Sequence, residues 1–278
     1  MRSKLLSTIA VLILISKANI ALSQIAVPFG NNHTTGHYLK VGDANIYYEV
    51  YGKGEPIVML HGGVYGYIDE FEPFFDRLAA NHQLILIATR GHGKSEIGHT
   101  PFTYQQRADD AYKVIRSITQ DSVTVIGFSD GGFSALKLAA THPEAVKKLV
   151  AMGVGDYPAN RKEKFHYTPE DLMKSDSAFF AGRVALMPEP KRWREDLEML
   201  NKLYNEDNMS NETFEKIKCP TLIMAGDKDS YNNIDRVVAC AKAIPRHVLS
   251  IIPGCDHVIF YCNFPAVWEA MHPFLGIR

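Results

Sequence analysis

Gly127-Phe128-Ser129-Asp130-Gly131 sets one serine between glycines two residues away on either side, after an apolar run and before a helical pattern. A serine hydroxyl is a weak nucleophile unless a base takes its proton and a sharp turn lifts it clear of the backbone. Gly-x-Ser-x-Gly supplies that turn when a strand feeds a helix, because neighbouring backbone passes too close for a Cβ. The helix starting at Asp130 also offers a free N–H and the positive end of its dipole to developing negative charge. Alone, the pentapeptide is equally a glycine-rich turn. Its strand-to-helix setting favours a nucleophile.

The partners such a serine needs lie further along. His257, in Gly254-Cys255-Asp256-His257, follows an apolar run ending at Ile252, and Asp229, in Gly226-Asp227-Lys228-Asp229, follows Thr221–Ala225. Both fall just past the carboxyl ends of predicted strands, the edge where open α/β sheets bind ligands. The chain order Ser129, Asp229, His257 is the order of nucleophile, acid and base that accompanies this elbow. A tetrahedral oxyanion needs preorganised donors. His61-Gly62-Gly63 follows the apolar run Pro56–His61, so the N–H groups of Gly63 and Asp130 are the expected oxyanion hole, with Val64 the alternative to Gly63. Val64 and Phe128 are the expected substrate contacts.

These residues must be held by a regular frame. His37–Val41 and Asn45–Tyr51 read as strands joined by a Gly42-Asp43 hairpin turn. Pro56–His61, Leu84–Ala88, Ser122–Gly127, Lys148–Met152, Thr221–Ala225 and Val248–Ile252 are further strands, several of them near-continuously apolar, as in a sheet buried on both faces. Helical patterns cover Asp69–Ala80, Thr103–Thr119, Gly131–His142, Ile234–Ala243 and Pro265–Phe274. The alternation predicts an α/β fold with a mostly parallel sheet flanked by helices. Residues 154–213 break the rhythm with more charge, four prolines and a helical stretch at Glu195–Tyr204, and read as a helical cap inserted over the end of the sheet. The expected division is a core of 24–153 and 214–278 split by that cap.

Residues 1–23 are expected to be a signal peptide. Arg2 and Lys4 precede the apolar run Leu5–Ser16, which is too short to span a bilayer, and Ala21-Leu22-Ser23 suits cleavage before Gln24, with a cut after Ala18 as second choice. The mature chain is then secreted or periplasmic, without a stable membrane anchor. Export permits disulfides. Of the four cysteines, Cys219 and Cys240 read as small core residues, whereas Cys255 and Cys262 flank His257 and are the pair to test first. Losing the leader removes three basic residues, leaving 27 against 31 acidic, a net −4 in place of −1. With no basic excess, nucleic acid is excluded as a partner. At 46% hydrophobic and 22% charged, the 278 residues also suffice for a folded core.

The chain resembles the α/β-hydrolase superfamily of esterase-like, serine-dependent enzymes over roughly residues 37–275. The resemblance is carried by His61-Gly62-Gly63, Arg90-Gly91-His92-Gly93-Lys94-Ser95, Gly127-Phe128-Ser129-Asp130-Gly131-Gly132, Gly226-x-x-Asp229 and Gly254-x-x-His257 in the family's order. It implies Ser129 as nucleophile, Asp229 as acid, His257 as base and no cofactor. Two positions depart: Ala88 stands where many relatives carry Asp, and Asp256 stands before the histidine where many carry a small residue. Asp256 could stabilise a charged His257 or point to solvent, and the second is expected.

Other features carry less. Gly-Lys-Ser at 93–95 lacks the earlier glycine of a phosphate-binding loop, since Ala88 holds that place. His33 and His37 sit in a segment that does not suit a metal site. Trp193, Phe179, Phe180 and Tyr204 read as cap packing first and pocket lining second. The expected function is cleavage of a carboxylic ester or related acyl bond in a small molecule. Carbon–carbon hydrolase, lactonase and aminopeptidase are alternatives, and a non-catalytic receptor is the rival from another class.

Overall fold

The computed structural model describes residues 29–157 and 164–277. The expected signal peptide lies outside them. Eight strands form one sheet: β1 (Gly36–Val41), β2 (Ala44–Tyr51), β3 (Glu55–Leu60), β4 (His82–Ile87), β5 (Val123–Phe128), β6 (Val146–Met152), β7 (Thr221–Gly226) and β8 (His247–Ile252). Their order is β1-β2-β4-β3-β5-β6-β7-β8. β1 pairs antiparallel with β2 and β2 with β4, while every other pair is parallel. Each apolar run read as a strand is one.

Period-two alternation divides the core between two faces. Val58, Leu60, Ile85 and Ile87 point to one layer, shared with α2 (Tyr104–Ile118), α3 (Asp130–Thr141) and α8 (Ile234–Ala243). Ile57, Met59, Leu84 and Leu86 point to the other, shared with α1 (Glu72–Leu78) and α10 (Phe264–Leu275). The helix expected over Asp69–Ala80 is divided: a 3-10 turn at Ile68–Phe71 precedes α1, with Pro73 in the first turn of the latter. Proline lacks an N–H and crowds the preceding turn, so it starts a helix more readily than it continues one.

Between β6 and β7 the described chain is helical: α4 (Pro169–Ser175), α5 (Ser177–Leu186), α6 (Trp193–Glu206) and the single turn α7 (Asn211–Phe214). Tyr157 and Met209 exchange backbone hydrogen bonds at 2.8 Å, drawing the entry and exit of this insertion together. Phe180, Leu197, Leu200 and Leu203 bury into the layer already formed by α2 and α3, so the insertion shares a core with the sheet. The short turn α9 (Ile259–Cys262) follows β8 and leads into α10.

The junction of β5 and α3 is the tightest point. A Cβ on Gly131 would run into the Leu60 carbonyl oxygen of β3, and one on Gly127 into the Gly131 carbonyl. The two glycines are therefore required by backbone packing. Gly131→Ala is expected to lower stability by about 3 kcal/mol, measured as a fall in the denaturant midpoint at unchanged slope.

Candidate active site

Ser129 is the one non-glycine residue with positive φ among the described residues, at 51°. Such a conformation costs about 1–3 kcal/mol and persists only where the surroundings impose it. Here Gly127 and Gly131 permit the close turn, and the Ser129 N–H donates to the Met152 carbonyl at 2.8 Å. The hydroxyl is left at the carboxyl edge of the sheet.

Ser129 Oγ lies 2.8 Å from His257 Nε2, and His257 Nδ1 lies 2.9 Å from Asp229 Oδ2. The carboxylate can only accept, so Nδ1 carries the proton and Nε2 accepts from the serine hydroxyl. Asp229 Oδ1 accepts the N–H groups of Tyr231 and Asn232, both at 2.9 Å, which turns its other oxygen toward the imidazole. Asn232 in turn donates from Nδ2 to the Gly153 carbonyl at 3.0 Å. Three residues separated by up to 128 positions thus meet in one hydrogen-bonded line.

The loop carrying His257 is fixed from several sides. Cys255 and Cys262 form a disulfide across it, while Cys219 and Cys240 are free and buried, as read from the sequence. The Cys255 carbonyl accepts the Lys228 N–H at 3.0 Å. Asp256, expected to point to solvent, is exposed but engaged. Its Oδ1 accepts from Ser230 N, Ser230 Oγ and His257 N at 2.8, 3.0 and 2.8 Å, tying the Asp229 loop to the His257 loop. The Ser230 bonds, followed by the His257 N–H, lower its pKa.

His61 was singled out only as part of a glycine motif; the structure gives it a definite task. It is fully buried, and its Nε2 accepts the Thr89 N–H at 3.0 Å. The proton is therefore on Nδ1, which donates to the Gly62 carbonyl at 2.7 Å. Burial lowers its pKa to about 3, so it stays neutral. Because C=O and N–H point opposite ways across a planar trans peptide, holding the Gly62 oxygen toward His61 turns the Gly63 N–H away from it. Glu70 Oε1 accepts the Gly62 N–H at 2.6 Å, fixing the preceding peptide as well.

Asp130 follows the nucleophile and is the first residue of α3, where a helix N–H has no intrahelical acceptor. Its buried carboxylate accepts from Arg107 Nη1 at 2.6 Å and from the Tyr204 hydroxyl at 2.7 Å. One carboxylate so joins α3, α2 and the inserted α6. Nothing in the sequence marked Arg107, since it lies on the inner face of an ordinary amphipathic helix.

A cavity of about 830 Å³ opens beside Ser129 and is lined by Gly63, Val64, Phe128, Asp130 and His257. All the residues expected at the oxyanion and substrate positions are thus brought to one space. Phe179 and Tyr204 also line it, the second of the two readings the sequence offered for them; Phe180 is buried in the insertion. Among the described residues no group of three or more His, Cys, Asp or Glu is placed to hold a metal ion.

Comparison with known proteins agrees with this architecture. A family model for the alpha/beta hydrolase fold matches residues 55–190. The chain belongs to the α/β-hydrolase superfamily. As an α/β-hydrolase it is 28% identical over 255 residues to a putative carbamate hydrolase, RutD, of Azorhizobium caulinodans, covering 84% of this chain and 96% of that one. It is 27% identical over 225 residues to the serine hydrolase BPHL of Mus musculus, covering 74% and 77%. The solved structure of the esterase EaEST from Exiguobacterium antarcticum superposes with a TM-score of 0.69 at 25% identity, over 87% of this chain and 99% of that one. This α/β-hydrolase is accordingly a hydrolase by family.

Removing one member of a buried charged pair strands the other, at a cost of about 3–5 kcal/mol. Arg107→Ala should therefore destabilise the protein by that amount, whereas Tyr204→Phe should cost about 1–2 kcal/mol. Equilibrium unfolding in urea checks both, and equal small effects would show that the network is not the tie between α2, α3 and α6.

Proposed function

We propose that this chain is an exported serine hydrolase that cleaves a carboxylic ester or related acyl bond through an acyl-enzyme. The observation that carries the reading is the continuous line from Ser129 Oγ through His257 to Asp229, at 2.8 and 2.9 Å. In this mechanism Ser129 attacks the acyl carbon while His257 Nε2 takes its proton, and Asp229 holds the imidazole and balances the charge it acquires. The oxyanion is received by the N–H of Asp130, free at the start of α3, and by that of Gly63, which His61 turns away from itself. His257 then protonates the leaving group. Water activated by the same nitrogen releases the acyl group.

An Asp nucleophile, as in epoxide hydrolases and haloalkane dehalogenases, is disfavoured because Ser129 occupies that place. A receptor role is disfavoured because ligand binding alone needs no such hydrogen-bonded line. The relatives named for carbamate and ester hydrolysis support acyl chemistry with a heteroatom leaving group. Export is supported by the Cys255–Cys262 disulfide, since such bonds persist in oxidising compartments. In this reading the helices between β6 and β7 act as the cap that closes the cavity over Ser129.

Ser129→Ala should abolish turnover of a short-chain p-nitrophenyl ester while leaving the unfolding transition in place, and a phosphonate should label Ser129 alone. Asp229→Asn should lower kcat by about four orders of magnitude, the effect of fixing the wrong imidazole tautomer. Undiminished turnover by Ser129→Ala would sink the mechanism. Mass analysis of protein secreted by an expressing host should find Gln24 at the N-terminus, and an intact Met1 would overturn export by cleavage.

A further inference from the structure

The charges around the cavity are lopsided. Among the described residues Asp69, Glu70, Glu72, Asp130 and Asp256 line it, against the guanidinium of Arg183 and the imidazole of His257, which is engaged by Ser129 and Asp229. Arg183 is already matched, bidentately, by Asp69 at 2.8 Å for each bond, with its guanidinium 5.4 Å from the Tyr67 ring centroid and 4.8 Å from that of Phe179. Asp130 is matched by Arg107. Glu70, Glu72 and Asp256 have no basic partner among the described residues. Among the described residues no lining cation is left to receive a substrate carboxylate, while three carboxyls are left without a basic partner.

The aromatic groups at the mouth follow the same pattern. Tyr65, Tyr231 and Tyr261 all line the cavity yet remain 50%, 48% and 62% exposed. So much aromatic surface in water at a pocket mouth asks for a ligand. Tyr231 lies with its ring centroid 4.7 Å from that of His257, and the Tyr261 hydroxyl donates to the Glu70 main-chain carbonyl at 3.1 Å, so one ring adjoins the catalytic imidazole and another adjoins Glu70. Tyrosine faces backed by carboxylates are the chemistry that holds an ammonium group.

We infer that the substrate carries an ammonium group, held at the cavity mouth by the faces of Tyr65, Tyr231 and Tyr261 and by the Glu70, Glu72 and Asp256 carboxyls. The inference rests on the serine-hydrolase reading for the bond that is cleaved, but not for the charge that is recognised. Glu70 gives it a pH signature. Burial, with Asp69 on its own turn and Asp130 on α3, pushes that carboxyl up to about 8, against the Gly62 N–H and Arg183 of α5, which pull it down. Tyr261 of α9 also lies against it, its hydroxyl bonded to the Glu70 main-chain carbonyl. Below about 8 Glu70 is neutral and spares the neighbouring oxyanion a like charge; above it Glu70 is an anion that favours a bound cation.

Butyrylcholine and 3,3-dimethylbutyl butyrate have nearly the same shape and differ by one positive charge. Titrated calorimetrically into Ser129→Ala protein, which cannot be acylated, butyrylcholine should bind about tenfold more tightly at low salt. That ratio should widen as pH rises from about 6.5 to about 9 and shrink with added salt. Glu70→Gln should remove the pH dependence of the ratio. Since both esters are measured on one protein, a general loss of folding cancels. Equal affinities at both ends of the pH range overturn the inference. Turnover of p-nitrophenyl butyrate by the unaltered chain is measured alongside. Turnover with equal affinities removes only the ammonium preference, whereas a charge preference without turnover of any ester supports it and removes the hydrolase reading.

Discussion

The backbone at Ser129 is the constraint on which the rest of the site depends. A positive φ of 51° at a non-glycine residue is unfavourable in isolation. It survives because β5 and α3 are packed closely at this turn, with Gly131 against the Leu60 carbonyl. The sheet core therefore holds the hydroxyl above its edge. His257 and Asp229 need only reach that fixed point, and they do so from loops after β8 and β7, on the same edge.

Several carboxyl groups crowd this edge, and their partners give them different tasks. Asp229 is aimed by two backbone N–H groups and faces an imidazole. Asp130 is neutralised by Arg107 and serves as a tie between core and insertion. Asp256 binds two loops together. Glu70 braces a peptide at Gly62 and faces the cavity. The same functional group thus orients, ties or braces according to what donates to it.

Much of the fold was legible because a buried parallel sheet needs near-continuous apolar runs, and several of these stand out between turn residues. The hairpin at Gly42-Asp43, the strand-to-helix elbow and the loop positions of Asp229 and His257 were legible for similar local reasons. The division of the Asp69–Ala80 helix was signalled by Pro73 and overridden by periodicity. Asp256 was read from its type alone, which gives solvent exposure but not the Ser230 N–H opposite. Phe179 and Tyr204 were ambiguous because an apolar helical face looks the same whether it meets a core or a cavity.

The sequence by itself determined the order of strands and helices and the chemistry available at Ser129, Asp229 and His257. Those depend on local periodicity and on which residue follows which strand. The tertiary structure alone decided that His61 orients the Gly62 peptide, that Arg107 and Tyr204 share Asp130, and that the tyrosines gather at an acidic mouth. Each of these joins elements that are far apart in the chain. Hydrogen-bond direction and charge balance are set by neighbours in space, which a linear pattern does not contain.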